Sequence, residues 1–163
     1  MRLTDEKFAK HVWTYMFQCS LAAVTILIVL LILDTTHQTA IIASIGASAF
    51  IIFTGPHEFS AKTRNVLGGY FIGTVVGMGF SLLASTVGRS GWDLVFMLVG
   101  AGAVGVSIFI MVVTDTEHPP AAGLALAFVL NEWNFPTVVV VLVAALVLST
   151  MRLLFKNHIR NLI

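Results

Sequence analysis

Apolar residues in this chain gather into six runs that are separated by short polar stretches. A helix rises about 1.5 Å per residue and the hydrocarbon core of a bilayer is about 30 Å thick, so a crossing needs about 20 residues. Four runs are long enough or nearly so, and two are short. The runs cover residues 17–33, 40–54, 66–87, 94–114, 119–130 and 136–155. The pattern predicts an all-α membrane protein whose one domain covers residues 1–163.

Composition supports a lipid environment and excludes several classes of protein. Hydrophobic residues make up 58% of the chain and charged residues only 10%, against about 25% charged residues in a soluble domain. The net charge of +1 comes without a basic stripe, so no nucleic-acid partner is expected. Cys19 is the one cysteine and the five histidines are dispersed, so we expect neither a metal site nor a cofactor.

The basic residues favour one topology. With six crossings and both termini in the cytoplasm, eight of the nine Lys and Arg residues lie on the cytoplasmic side and only Arg89 lies outside, as the positive-inside rule requires. The predicted location is the cytoplasmic membrane of a prokaryote. The alternative is that residues 119–130 form a hairpin returning to its own side, which moves the C-terminus outside.

A short motif follows the first apolar run and recurs after the fourth. Each copy precedes a short run, so the chain divides into halves of about residues 1–88 and 89–163, with three segments each. Three crossings reverse the chain direction, so the halves form an inverted repeat, as in many secondary transporters. At an offset of 81 residues, Asp34, Thr35, His37 and Ala40 match Asp115, Thr116, His118 and Ala121; chance identity is the alternative.

The second copy of this motif begins a helix. Pro119 and Pro120 suit the first helical turn, where a missing N–H group is harmless. Helix N-termini carry unpaired N–H groups and partial positive charge, which suits a small anion. We therefore expect the helix starts beside His37 and His118 to face one cavity, with both imidazoles contributing hydrogen bonds.

Charged residues near these starts suggest a path for an anion and a proton. Lys62 and Arg64 attract anions in one interpretation and are ordinary loop residues in the other. Asp34, Asp115 and Glu117 are candidates for proton coupling because ionisable groups beside apolar segments often mark a pathway. Loop residues in water are the alternative for these three.

The motifs together resemble the HPP family of integral membrane proteins. That family is named for a His-Pro-Pro motif, here His118, Pro119 and Pro120 in EHPPAAGLALA. The chain is similar to its members also in the small-residue segment SIGASAFIIF and in an R-N-x-x-G-G element, here Arg64, Asn65, Gly68 and Gly69. The resemblance implies an integral membrane protein, usually described with four membrane helices. Plastid members are associated with nitrite transport.

Three functions stay open at this point. The leading hypothesis is a transporter or channel for a small inorganic anion, with nitrite as the first candidate. Its expected site comprises His118, Pro119, Pro120, His37, Arg64, Lys62 and Asn65. A non-transporting structural or sensory subunit is the second. A membrane-embedded enzyme that uses Asp115, Glu117 and His118 is the third, but we do not expect one because a nucleophile and a metal set are missing. Three helices per half enclose little interior, so a homo-oligomer is predicted.

Overall fold

Six α-helices and one 3-10 turn form the protein in a computed structural model that describes residues 6–32, 39–87 and 94–162. The all-α architecture with four long and two short segments is confirmed. The helices are α1 (Glu6–Ile32), α2 (Thr39–Thr54), α3 (Thr63–Val87), α4 (Leu94–Val113), α5 (Pro119–Leu130) and α6 (Phe135–Phe155), and the 3-10 turn is Phe59–Ala61.

Helix boundaries follow the apolar runs closely except at the start of α1. That helix begins at Glu6, ahead of its apolar run, and its backbone departs from helical angles at His11. The start of α6 shows a local cause: the Asn134 side chain accepts a hydrogen bond from the Thr137 N–H at 3.0 Å, and Pro136 lies in the first turn. Both features stabilise a helix start.

Within the described ranges, four helices are long and apolar enough to cross a membrane. Their crossing segments are His11–Leu31, Thr63–Thr86, Leu94–Val113 and Phe135–Phe155. The shorter α2 and α5 have 16 and 12 residues, which give lengths of about 24 and 18 Å. Large apolar side chains on the outside of the long helices, such as Leu98 and Phe109 on α4, are exposed. Lipid is the natural solvent for them.

One end of the bundle collects the starts of α1, α3 and α5 and the ends of α2, α4 and α6. We call this the His118 end. Hydrogen bonds across it include Gln18 to the Phe53 carbonyl, Arg152 to the Pro56 carbonyl, Arg64 to the Thr114 carbonyl and the Leu162 N–H to the Thr54 carbonyl.

The closest helix pair is α3 with α5, and glycines permit it. A Cβ added to Gly69 would lie 2.7 Å from the His118 Cβ, and one added to Gly77 would lie 2.9 Å from the Ala125 carbonyl oxygen. At Gly73, between them, an added Cβ would overlap the Ala121 carbonyl oxygen. Small residues four apart let backbones approach this closely in membrane proteins.

This pairing fixes the direction of α5. Successive contacts advance along both helices, so α5 runs parallel to α3 and away from the His118 end. The chain then returns through α6, whose last turn places Arg152 on Pro56. Residues 119–130 therefore do not form a hairpin that turns back, and that alternative is wrong. The described parts of both termini lie at the same end, while the side facing the cytoplasm stays a prediction.

The inverted repeat and its two halves also stay predictions. Both halves have the order long, short, long, and α1 begins at the end where α4 finishes. Residues 34 and 37, which carry the first copy of the motif, lie outside the described residues. The structure therefore shows the place of the second copy alone.

Replacing Gly73 by Ala tests the contact between α3 and α5. We expect G73A to destabilise the protein by about 1–3 kcal/mol, since overpacking forces a backbone shift. Gly79 lies on the same helix with no atom within 4 Å of an added Cβ, so G79A is the matched control and should be neutral or slightly stabilising. Thermal unfolding in detergent measures both, and equal melting temperatures for the two variants would contradict the packing.

Candidate functional site

A tight turn between α4 and α5 carries His118 into the bundle. Asp115 adopts a left-handed backbone conformation with φ 57°, which Asp tolerates better than most residues. His118 then precedes α5 with extended angles, and Pro119 and Pro120 occupy the first helical turn. The Asn65 side chain donates to the Glu117 carbonyl at 3.2 Å and holds the turn against α3.

His118 is fully buried, and both ring nitrogens have partners. Its Nδ1 lies 2.8 Å from the Ser60 carbonyl oxygen, and its Nε2 lies 2.8 Å from Ser48 Oγ. A carbonyl only accepts hydrogen bonds, so Nδ1 carries the hydrogen. In the neutral ring, Nε2 is then an acceptor for the Ser48 hydroxyl.

The hydrogen bonds continue from Ser48 to residues on α2 and α3. Ser48 Oγ lies 2.8 Å from the Tyr70 hydroxyl and 3.1 Å from the Ser44 carbonyl oxygen. The Ser44 hydroxyl donates to the Pro120 carbonyl at 2.6 Å. Sequence reasoning treated this part of α2 only as a small-residue segment and missed the polar cluster. Two serines four apart in an apolar helix were the available signal, since they share one face.

Burial controls the protonation of His118, which lies outside the four membrane-crossing segments. Burial lowers the pKa of His118 to about 4, and the hydrogen bond to the Ser60 carbonyl opposes that shift. An imidazolium is costly to bury because it loses its hydration. In this conformation His118 is therefore neutral at pH 7.

Lys62 and Arg64, the basic residues expected to attract an anion, lie at the surface of the His118 end. Arg64 donates to the Asp115 carboxylate at 3.1 Å and to the Thr114 carbonyl at 2.9 Å. Both side chains of this ion pair are mostly exposed, so it contributes little to stability. Lys62 is exposed and its Nζ lies 4.7 Å from the centre of the Phe59 ring.

A cavity of about 230 Å³ adjoins His118 between α4 and α5. Its wall consists mainly of apolar side chains, together with Glu117 and His118. Glu117 Oε2 is buried and has no hydrogen-bond partner among the described residues. The other lining residues are Ile108, Met111, Val112, Pro119 and Ala122.

The start of α5 offers few donors to an anion. Pro119 and Pro120 have no N–H group, and the Ala121 N–H donates to the His118 carbonyl at 2.9 Å. The first three positions of the helix therefore leave no backbone donor free. An anion beside this start depends on side chains instead.

The two helix starts also lie apart. His118 contacts Ser48, which lies nine residues after the first residue of α2, Thr39, so the start of α2 lies about 14 Å further along the helix axis. The expectation that both starts face one cavity is wrong, because α2 packs against α5 through its middle. Asp34 and His37 lie outside the described residues, and their roles stay predictions.

Comparison with known proteins decides the family. The model of the HPP transmembrane region matches residues 7–162, nearly the whole chain. The chain belongs to the HPP family. The His-Pro-Pro motif of this HPP protein is thus the turn described above, which buries His118 and Pro120. A protein named as a transmembrane protein from Dictyostelium discoideum is 31% identical over 134 residues, which cover 79% of this chain and 45% of that protein. This chain thus matches less than half of its relative's length, and no solved structure matches it.

Acidification should weaken the folded state through His118. The folded pKa lies below the ordinary value of 6.5, so the unfolded chain binds the proton first and stability falls as the pH drops from about 6.5 towards 4. The loss amounts to about 3 kcal/mol. Melting temperatures between pH 7.5 and 4 should show a shallower decline in H118Q than in the wild type. The exposed His158 supplies the control: H158Q should keep the wild-type slope, and an unchanged slope in H118Q would exclude this role.

Proposed function

We propose that this HPP-family protein transports a small inorganic anion, with nitrite the leading candidate, and that a proton enters with the anion. The observation that carries the proposal concerns the Glu117 carboxylate beside His118: its Oε2 is buried without a hydrogen-bond partner among the described residues, at a partly open cavity with mainly apolar walls. An ionised carboxylate without a partner is expensive to bury. In a membrane protein such groups commonly mark a path for ions or protons.

Charge balance explains why an anion and a proton go together at Glu117. The ionised carboxylate repels an anion, whereas the protonated carboxyl group offers an O–H donor to it. Protonation of Glu117 and arrival of one anion together leave the charge of the cavity unchanged. Its volume of about 230 Å³ accommodates a three-atom anion with a few water molecules, each of which takes about 30 Å³.

Residues around Glu117 are suited to attract the anion and to hold the turn that carries Glu117. Lys62 and Arg64 lie at the same end and raise the local anion concentration, although Asp115 offsets part of the Arg64 charge. Asn65 fixes the turn that presents Glu117. Pro119 contributes to the wall of the cavity.

A structural or sensory subunit is the second candidate function. The observations that favour it are the two occupied ring nitrogens of His118 and the missing backbone donors at the start of α5. In that case the histidine joins α2, α5 and the 3-10 turn without any solute passing. A homo-oligomer is compatible with both functions and stays a prediction.

Replacing Glu117 by Gln tests the proton-coupled site. We expect E117Q in proteoliposomes to lose the dependence of nitrite uptake on an imposed pH gradient and to retain at most about a tenth of the wild-type rate. The exposed Glu132, which follows the other end of α5, provides the control, and E132Q should behave as the wild type. Wild-type uptake equal to that of empty vesicles would reject transport of nitrite.

Neutralising the basic residues of the His118 end should slow entry of the anion. Surface charges steer ions over about 10 Å at 0.1 M salt, so K62Q with R64Q should raise the KM for uptake several-fold at low salt and little at high salt. Lys156, exposed after α6, is a control for non-specific surface charge. A salt-independent effect, or an equal effect of K156Q, would remove the steering role.

A further inference from the structure

Ser48 lies at the branching point of the buried polar cluster. Its Oγ has three polar neighbours: His118 Nε2 at 2.8 Å, the Tyr70 hydroxyl at 2.8 Å and the Ser44 carbonyl oxygen at 3.1 Å. A serine hydroxyl has one hydrogen to donate and two lone pairs that accept. The direction of that one hydrogen therefore decides how the whole cluster is bonded.

With a neutral His118 the bonding is complete in one arrangement. Nδ1 donates to the Ser60 carbonyl, so Nε2 accepts the hydrogen of Ser48. The Tyr70 hydroxyl then donates to Ser48 Oγ. Hydrogen bonds in such a chain reinforce one another in a medium of low dielectric constant.

With a protonated His118 a second arrangement is equally complete. Nε2 now donates to Ser48 Oγ, and the Ser48 hydrogen turns to the Ser44 carbonyl. Tyr70 donates to the remaining lone pair of Ser48 or to the Ser44 carbonyl at 3.4 Å. With the heavy atoms in the positions seen here, both protonation states thus find full partners.

We propose that Ser48 is a positioning residue whose rotating hydroxyl allows His118 to gain and lose a proton during transport. This inference rests on the proposed function. The proton comes from water and returns to the side from which it came, so one N–H bond at Nε2 forms and breaks in each cycle. The net entry therefore stays at the one proton that Glu117 carries with the anion. An anion in the adjoining cavity favours the protonated ring, because an opposite charge offsets part of the cost of burial. By linkage, a protonated His118 favours the anion to the same extent.

In the part of the chain that the structure describes, few other titratable groups face His118. Helix α2 has none between Thr39 and Thr54, and α3 presents Tyr70. Glu117 precedes the histidine and lines the same cavity, so its carboxylate favours the imidazolium. Around the turn, Arg64 and Asp115 pair at the surface, and Lys62 and Glu58 are exposed. Glu117 is therefore the group whose charge must be controlled in a test.

Nitrogen NMR of labelled His118 in the detergent-solubilised chain measures the switch directly. Without Ser48 the charged ring loses an acceptor and the neutral ring loses a donor. A hydrogen bond to a charged group is stronger than a bond between neutral groups, so the charged ring loses more. We therefore expect S48A to lower the titration midpoint of His118 by about one pH unit, a tenfold smaller protonated population at a given pH. S48T keeps the hydroxyl and should restore the wild-type midpoint. The same comparison in the E117Q background removes the influence of the neighbouring carboxylate.

Ser44 supplies a matched control one turn away on the same helix. Its side chain bonds the Pro120 carbonyl, whereas the switch uses its backbone carbonyl, so S44A should leave the His118 midpoint unchanged. Melting temperatures identify variants that fail to fold. If S48A does not fold, S48C takes its place, because a thiol is only a weak donor and acceptor and should also lower the His118 midpoint.

Uptake measurements separate this inference from the proposed function. In S48A, the acidic side of the pH profile of nitrite uptake should shift by the same number of pH units as the His118 midpoint. In S48T the uptake profile should again match that of the wild type. An unchanged His118 titration in S48A overturns the switch. Altered titration with an unchanged uptake profile overturns its part in transport, while transport itself stands. Absence of uptake by the wild type overturns the proposed function, and with it the role of the switch in transport.

Discussion

The close approach of α3 to α5 is the constraint on which the rest of this structure depends. Gly69, Gly73 and Gly77 leave room for the α5 backbone, so a helix of 12 residues packs deep against a much longer one. That contact places His118 inside the bundle and sets the direction in which the chain continues to α6. The buried polar cluster exists because α2 meets the same turn from the other side. A larger side chain at any of these three glycines would push α5 away from α3 and would separate His118 from the residues that bond to it.

Polar groups inside an apolar bundle are stable only when they satisfy one another. Ser44, Ser48, Tyr70 and His118 follow that rule, since each has a partner within hydrogen-bond distance. Glu117 departs from it, because one carboxylate oxygen is buried without a partner among the described residues. Thr63, Thr74 and Ser149 each have a buried hydroxyl oxygen without a partner there as well, but Glu117 is the ionisable residue among the four, and it lies at the cavity beside His118. The proposed function follows from that contrast.

Sequence reasoning predicted the helices well because their signal is local. The length of apolar runs and the prolines at 119 and 120 are enough to position α5, and the glycines of α3 indicate close packing before any partner is known. The partners themselves depend on tertiary contacts. Nothing in the sequence around Ser48 or Ser60 predicts a bond to His118, because 70 and 58 residues separate them from it. The predicted meeting of two helix starts was wrong for the same reason, since it needed the register between α2 and α5.

The central claim is that the anion and a proton enter together at Glu117. Simultaneous recording of nitrite uptake and internal pH in proteoliposomes tests it most directly, with empty vesicles to subtract passage of nitrous acid through the lipid. The account predicts about one proton taken up for each nitrite and no net charge transferred, as neutral co-entry at one carboxyl group requires. Nitrite uptake that carries net charge and leaves the internal pH unchanged would contradict it.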